Sequence, residues 1–241
     1  MMLLTARGRA WLAGLALVSA PAALPALDDE PARVVVTERD VDESNREIES
    51  AYAALVRMWR EEFRQRGAPF RTPRIVAYRD AARSACGVLP PSNALYCLND
   101  NTIYFDEVFL AAQAKIAGRA LGTDGDMAAV GIIAHEMGHA VAVQAGRFSR
   151  DSYTNEATAD CLAGAFARRS ERDGMLEDGD TEEAFYAMAR AADPELRPTG
   201  NERLDRRMAA RLARARHGTR EERQDNFRRG LERGSTGCMG A

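Results

Sequence analysis

Apolar residues recur at helical spacing along most of the chain. Ile48, Tyr52, Leu55, Trp59 and Phe63 form a stripe that predicts a helix over about 45–66, opened by a capping box of Ser44 and Glu47 and stopped by Gly67 and Pro69. Short β-like runs follow at Ile75–Tyr78, Leu95–Cys97 and Thr102–Phe105, the last two flanking an Asn99-Asp100-Asn101 turn and so predicting a hairpin. Helix resumes near Asp106, runs to about Ala120 and breaks at Gly122-Thr123-Asp124-Gly125-Asp126. Met127 to Ala145 is apolar on most of its circumference, which predicts a buried central helix ended by Gly146. A helix over about 155–169 turns Ala157, Cys161, Leu162 and Phe166 inward, and Asp180 with Glu183 is expected to cap another that holds Ala184, Phe185, Met188 and Ala189. Two Arg-rich helices are expected at about 201–216 and 220–233, the second capped by Thr219 with Glu222 and closed by Gly234. With no repeat and no second hydrophobic core, the fold class is α+β, predominantly helical, a single domain over 44–241 with a small β-hairpin or sheet ahead of the central helix.

Residues 1–26 read as a secretory signal peptide: Arg7 and Arg9, then the apolar run Trp11 to Val18, then small residues through Ala20, Ala22, Ala23 and Ala26. The competing reading is an uncleaved anchor, against which the apolar core is shorter than the ~20 residues a span needs. Residues 27–43, acidic and unpatterned, are expected to be a flexible leader. This places the protein outside the cytoplasm, secreted or in the periplasm or cell envelope, with no integral membrane span once the signal is removed.

The net charge of −3 gives no case for nucleic-acid binding. Between Glu202 and Arg233 eleven arginines face six acids. That block reads either as a patch for polyanions or a membrane surface, or as the solvated face of two amphipathic helices whose buried faces are Leu204, Met208, Leu212, Phe227 and Leu231. The second is the simpler account. Four cysteines suit an exported chain and allow three pairings. Cys86 and Cys97 enclose a short Gly/Pro/Ser/Asn-rich loop and are paired first, which leaves Cys161 with Cys238. Four free thiols are the alternative if export is wrong.

The chain has three histidines, and two of them stand in His135-Glu136-Met137-Gly138-His139 on the most apolar helix. A spacing of four puts both imidazoles on one face, within reach of one tetrahedral Zn²⁺ per chain, with Glu136 placed as general base for attack by a zinc-bound water. Unpaired, two imidazoles and a carboxylate would be expensive on so buried a helix; the bland reading has them hydrogen-bonded together as a polar cluster in the core. Residue 145 is Ala where the metzincin pattern has its third histidine. The next helix instead carries Glu156 and Asp160, four apart: Glu156 as third ligand, Asp160 as acceptor of a ring N–H from His135 or His139. This division resembles glutamate-type zincins, and Asn155-Glu156-x-x-x-Asp160 is similar to the thermolysin version.

The span from about Ser84 to Cys238 resembles the neutral zinc metallopeptidases of bacteria. The resemblance lies in Ala85-Cys86-Gly87, Tyr96-Cys97, Thr102 to Asp106, His135 to His139 with Val141 and Gln144, Glu156 to Gly164, Leu176-Glu177 with Gly179-Asp180, and His217-Gly218-Thr219 through Phe227, Gly230 and Cys238. It departs at Ala140, where the family often has a second histidine, and at Ala157-Thr158-Ala159, where it commonly has Leu-Gln-Ala. It implies a zincin-like peptidase acting on a peptide or protein substrate. His217 is read either as a helix-capping residue or as a catalytic donor to the developing oxyanion, with Tyr104 a weaker candidate for that role. The alternative to an enzyme is a zinc-binding envelope scaffold or adaptor without activity. Substrate specificity and oligomeric state are not legible.

Overall fold

The computed structural model describes residues 34–194, 196–214 and 216–239. The segment read as a signal peptide lies outside the described residues, as do residues 27–33 of the expected leader. The first helix, α1 (Glu38–Gln65), starts earlier than its aromatic stripe suggests. Thr37 caps it: the Asp40 amide donates to the Thr37 hydroxyl at 3.3 Å, and the Asp40 carboxylate accepts from the Thr37 amide at 2.7 Å. Ser44, expected as the cap, is buried within the helix, and residues 38–43, expected in the leader, are helical. Val41 and Ile48 extend the buried face toward the N-terminus, which is why the longer helix forms.

A three-stranded mixed sheet follows, in the order β1 (Arg74–Tyr78), β5 (Thr102–Asp106), β4 (Ala94–Cys97). β5 is parallel to β1 and antiparallel to β4, so the expected hairpin is present with β4 at an edge. The Cys86–Cys97 loop, expected as irregular, contains β3 (Gly87–Leu89), which pairs antiparallel with β2 (Ala82–Ser84) just before the loop. After α2 (Glu107–Leu121) comes α3 (Asp126–Gln144), buried nearly all round. α4 (Ser152–Arg172), α5 (Asp180–Arg190), α6 (Glu202–Arg214) and α7 (Arg220–Met239) complete the chain.

α4 and α7 cross on two glycines. A Cβ at Gly230 would lie 1.8 Å from the Cys161 carbonyl oxygen, and one at Gly164 2.0 Å from that of Phe227. The Cys161–Cys238 disulfide joins the same two helices. Gly234 interrupts α7 with φ of 65°, and the last turn carries Cys238 back to α4.

Two sequence readings need correction. Asp180 and Glu183 do not form a capping box on α5, whose N-cap Gly179 has no side-chain bond. Glu183 is fully buried and accepts from the amides of Gly125 and Met127 at 3.0 and 2.9 Å, capping α3 from outside. α6 buries no apolar face: Leu204 and Met208 are 44% and 37% exposed. Leu212 is half-buried, and the segment at Leu196 and Pro198 lines a shallow cavity with Met208 and Ala209, so the amphipathic stripe is only partly covered. Phe227 and Leu231 of α7 do pack on the core. Among the described residues, no helix is long and apolar enough to cross a membrane.

Candidate active site

His135 and His139 project from α3 toward α4, and the approach of the two helices is set by Gly138 between them. A Cβ there would come within 2.8 Å of the Ala159 carbonyl oxygen. α4 is opened by Asp151, whose carboxylate accepts from the Thr154 amide at 2.9 Å, and the first turns after that cap hold Glu156 and Asp160 against α3. The two histidine Nε2 atoms are 3.1 Å apart, and Glu156 places one oxygen 3.3 Å from His135 Nε2 and the other 3.4 Å from His139 Nε2.

These separations test whether a metal fits. Zinc bound at ~2.0–2.1 Å in a tetrahedron has donor–donor edges of about 3.3–3.4 Å. The two imidazole nitrogens, 3.1 Å apart, stand close to one such edge, each faces a Glu156 oxygen at 3.3 or 3.4 Å, and the donor chemistry suits zinc. His135, His139 and Glu156 are therefore the residues that would hold it. Burial alone would raise the Glu156 carboxyl, but hydrogen bonds from both rings hold it well below the usual carboxylate range. Burial would likewise lower His135, yet Asp160 and Glu156 push it up to about 10.

Asp160 takes His135 rather than His139: its carboxylate accepts from Nδ1 at 2.8 Å, which turns Nε2 toward the metal position. Sequence reasoning missed the third member of this chain. Arg223, set within the Arg-rich block as a solvated side chain, is only 3% exposed and donates to both Asp160 oxygens at 3.0 and 2.6 Å and to the Ala191 carbonyl at 2.8 Å. The sequence signals were its place with Glu222 in the C-terminal stretch that resembles the family, and its position one residue after that capping residue, as α7 begins.

Glu136 is buried beside the histidines, and its carboxylate accepts from the Tyr96 amide on β4 at 2.7 Å. His217 lies on the wall of the same cavity, of about 510 Å³, with its side chain 52% exposed. Asp193, which sequence reasoning did not single out, accepts from the His217 amide at 3.0 Å and lies 3.3 Å from its Nδ1. Thr219 caps α7 in the expected box with Glu222. Tyr104 is not in the cavity. It is buried beside the Cys86–Cys97 loop and its hydroxyl donates to Asp100 at 2.7 Å. Exposed Leu98 and Phe148 give the cavity mouth an apolar rim.

A family profile described as "Putative neutral zinc metallopeptidase" matches residues 27–239. Two curated relatives, each named "Uncharacterized protein YpfJ", from Escherichia coli strains K12 and O6:H1, are 32% identical over 198 residues, covering 73% of this chain and 63% of each relative. The chain thus spans less than two thirds of those proteins. No solved structure matches it.

Proposed function

Because the chain belongs to the neutral zinc metallopeptidase family, we propose that it is a zincin-type, zinc-dependent peptidase hydrolysing peptide bonds. The observation that carries this reading is the convergence of His135, His139 and Glu156, with each imidazole nitrogen facing a Glu156 oxygen, beside the buried Glu136 carboxylate. Zinc, when bound, supplies a Lewis acid that polarises a substrate carbonyl and acidifies water.

The chain's own groups do the rest. Glu136 takes the proton of the attacking water and delivers it to the leaving amine, and its bond from Tyr96 fixes the carboxylate against the edge strand. His217 donates a hydrogen bond to the developing oxyanion, its ring steadied by Asp193 at the cavity wall. Asp160 orients His135, and Arg223 pairs with both oxygens of this buried carboxylate. β4, an edge strand on the cavity wall, offers an extended peptide a place to lie. The two disulfides support an oxidising compartment, the secreted or envelope location read from the N-terminus. A silent zinc scaffold would have no use for a carboxylate held between the ligands.

The test is Glu136→Gln against a peptide library, with bound zinc measured alongside. Hydrolysis is expected to fall by at least ~10²–10⁴-fold while zinc is retained. Unchanged hydrolysis in the variant overturns the reading.

A further inference from the structure

At the N-terminal end of the histidine-bearing α3, four carboxylates meet where two helices begin. Asp124 and Asp126 come from the turn that opens α3, Asp180 and Glu183 from the first turn of α5, and one oxygen of each lies within 4.8 Å of the others. Among the described residues, none of the four forms an ion pair with Lys or Arg. Lys115, on the nearby wall, is engaged by Asp40 at 2.6 Å.

Helix capping explains half of this cluster. Glu183 accepts from the Gly125 and Met127 amides, and Asp180 accepts from the Glu177 amide at 2.7 Å. Asp124 and Asp126 have no such task, yet they add two more negative charges. Two buried oxygens beside them are also unsatisfied. Asp126 Oδ1 has no hydrogen-bond partner, and neither does the hydroxyl of Ser44, a residue 6% exposed on α1 that lines the same cavity of about 260 Å³ as Asp124 and Asp126. Orphaned buried oxygens of this kind are rare, and an unseen ion or its water is a standard cause.

We propose that Asp124, Asp126, Asp180 and Glu183 bind Ca²⁺, which clamps the N-terminus of the histidine-bearing helix to α5. The donor set is hard oxygen only, which disfavours zinc and suits Ca²⁺ or Mg²⁺. A site built almost wholly from protein carboxylates is the calcium pattern, whereas Mg²⁺ keeps several of its waters. Asp124 is exposed, so the ion has an entry path. The site is separate from the zinc ligands and stands whether or not the chain is a peptidase.

The experiment uses the full chain, dialysed against EGTA and then restored to its measured zinc content. Its thermal unfolding is followed with no addition, with 10 mM CaCl₂ and with 10 mM MgCl₂, for the wild type and for Asp124→Asn combined with Asp126→Asn. Ca²⁺ is expected to raise the wild-type Tm by at least ~3 °C, with a smaller Mg²⁺ effect. The variant, relieved of crowded charge, is expected to melt no lower than the wild type without Ca²⁺ and to show no rise with it. A wild-type Tm indifferent to Ca²⁺, or an equal rise in the variant, overturns the proposal. If the variant fails to fold, calorimetric titration of the wild type with CaCl₂ decides, and absence of binding at millimolar Ca²⁺ overturns it equally.

Discussion

Asp160 has no exposed surface, and its two oxygens are shared between an imidazole N–H of His135 and the guanidinium of Arg223. Losing that orientation changes the metal site without touching a ligand: Asp160→Asn is expected to weaken zinc binding ~10–100-fold, read by chelator competition. His217 belongs to the other half of the chemistry. His217→Gln is expected to lower kcat ~10²–10³-fold at near-constant KM with zinc content unchanged, and Asp193→Asn to shift kcat in the same direction by a smaller factor. A change in KM alone would make His217 a binding residue. At this scale the metal ligands were legible because both pairs sit four apart on single helices, where spacing is geometry. Arg223 and Asp193 were not, because each acts on a residue far along the chain, and an arginine among eleven looks solvated until the fold buries it.

The helices were legible as elements, since their apolar stripes are local, but their partners were not. α6 has the stripe of a buried helix and leaves Leu204 and Met208 exposed. Asp180 and Glu183 have the spacing of a capping box, yet Glu183 caps a different helix, a choice that depends on where α3 begins. The start of α1 was misplaced because Thr37 with Asp40 is as good a box as Ser44 with Glu47, and only packing decides between them. The crossing of α4 and α7 gives a direct check. Gly230→Ala puts a methyl 1.8 Å from the Cys161 carbonyl oxygen and must push the helices apart. It is expected to cost at least ~1–3 kcal/mol in denaturant unfolding and to loosen the contact between Arg223 and Asp160. A variant as stable as the wild type would mean that the crossing is slack.

Across the whole molecule, the candidate metal ligands and Asp160 come from α3 and α4, while Asp193, His217 and Arg223 reach them or their cavity from the chain beyond α5. The Cys161–Cys238 disulfide closes that arrangement across a sequence separation of 77. Replacing both cysteines by serine is expected to cost about 4.5 kcal/mol by the loop-entropy relation, seen as a lower denaturant midpoint, and to reduce activity with it. The measurement that bears most directly on the central claim is metal content by mass spectrometry on protein exported to an oxidising compartment, wild type beside Glu156→Ala. About one zinc per chain in the wild type, lost in the variant, is the expected result. Folded, disulfide-bonded wild type without zinc, or a variant that keeps its full complement, would contradict the His135, His139 and Glu156 site.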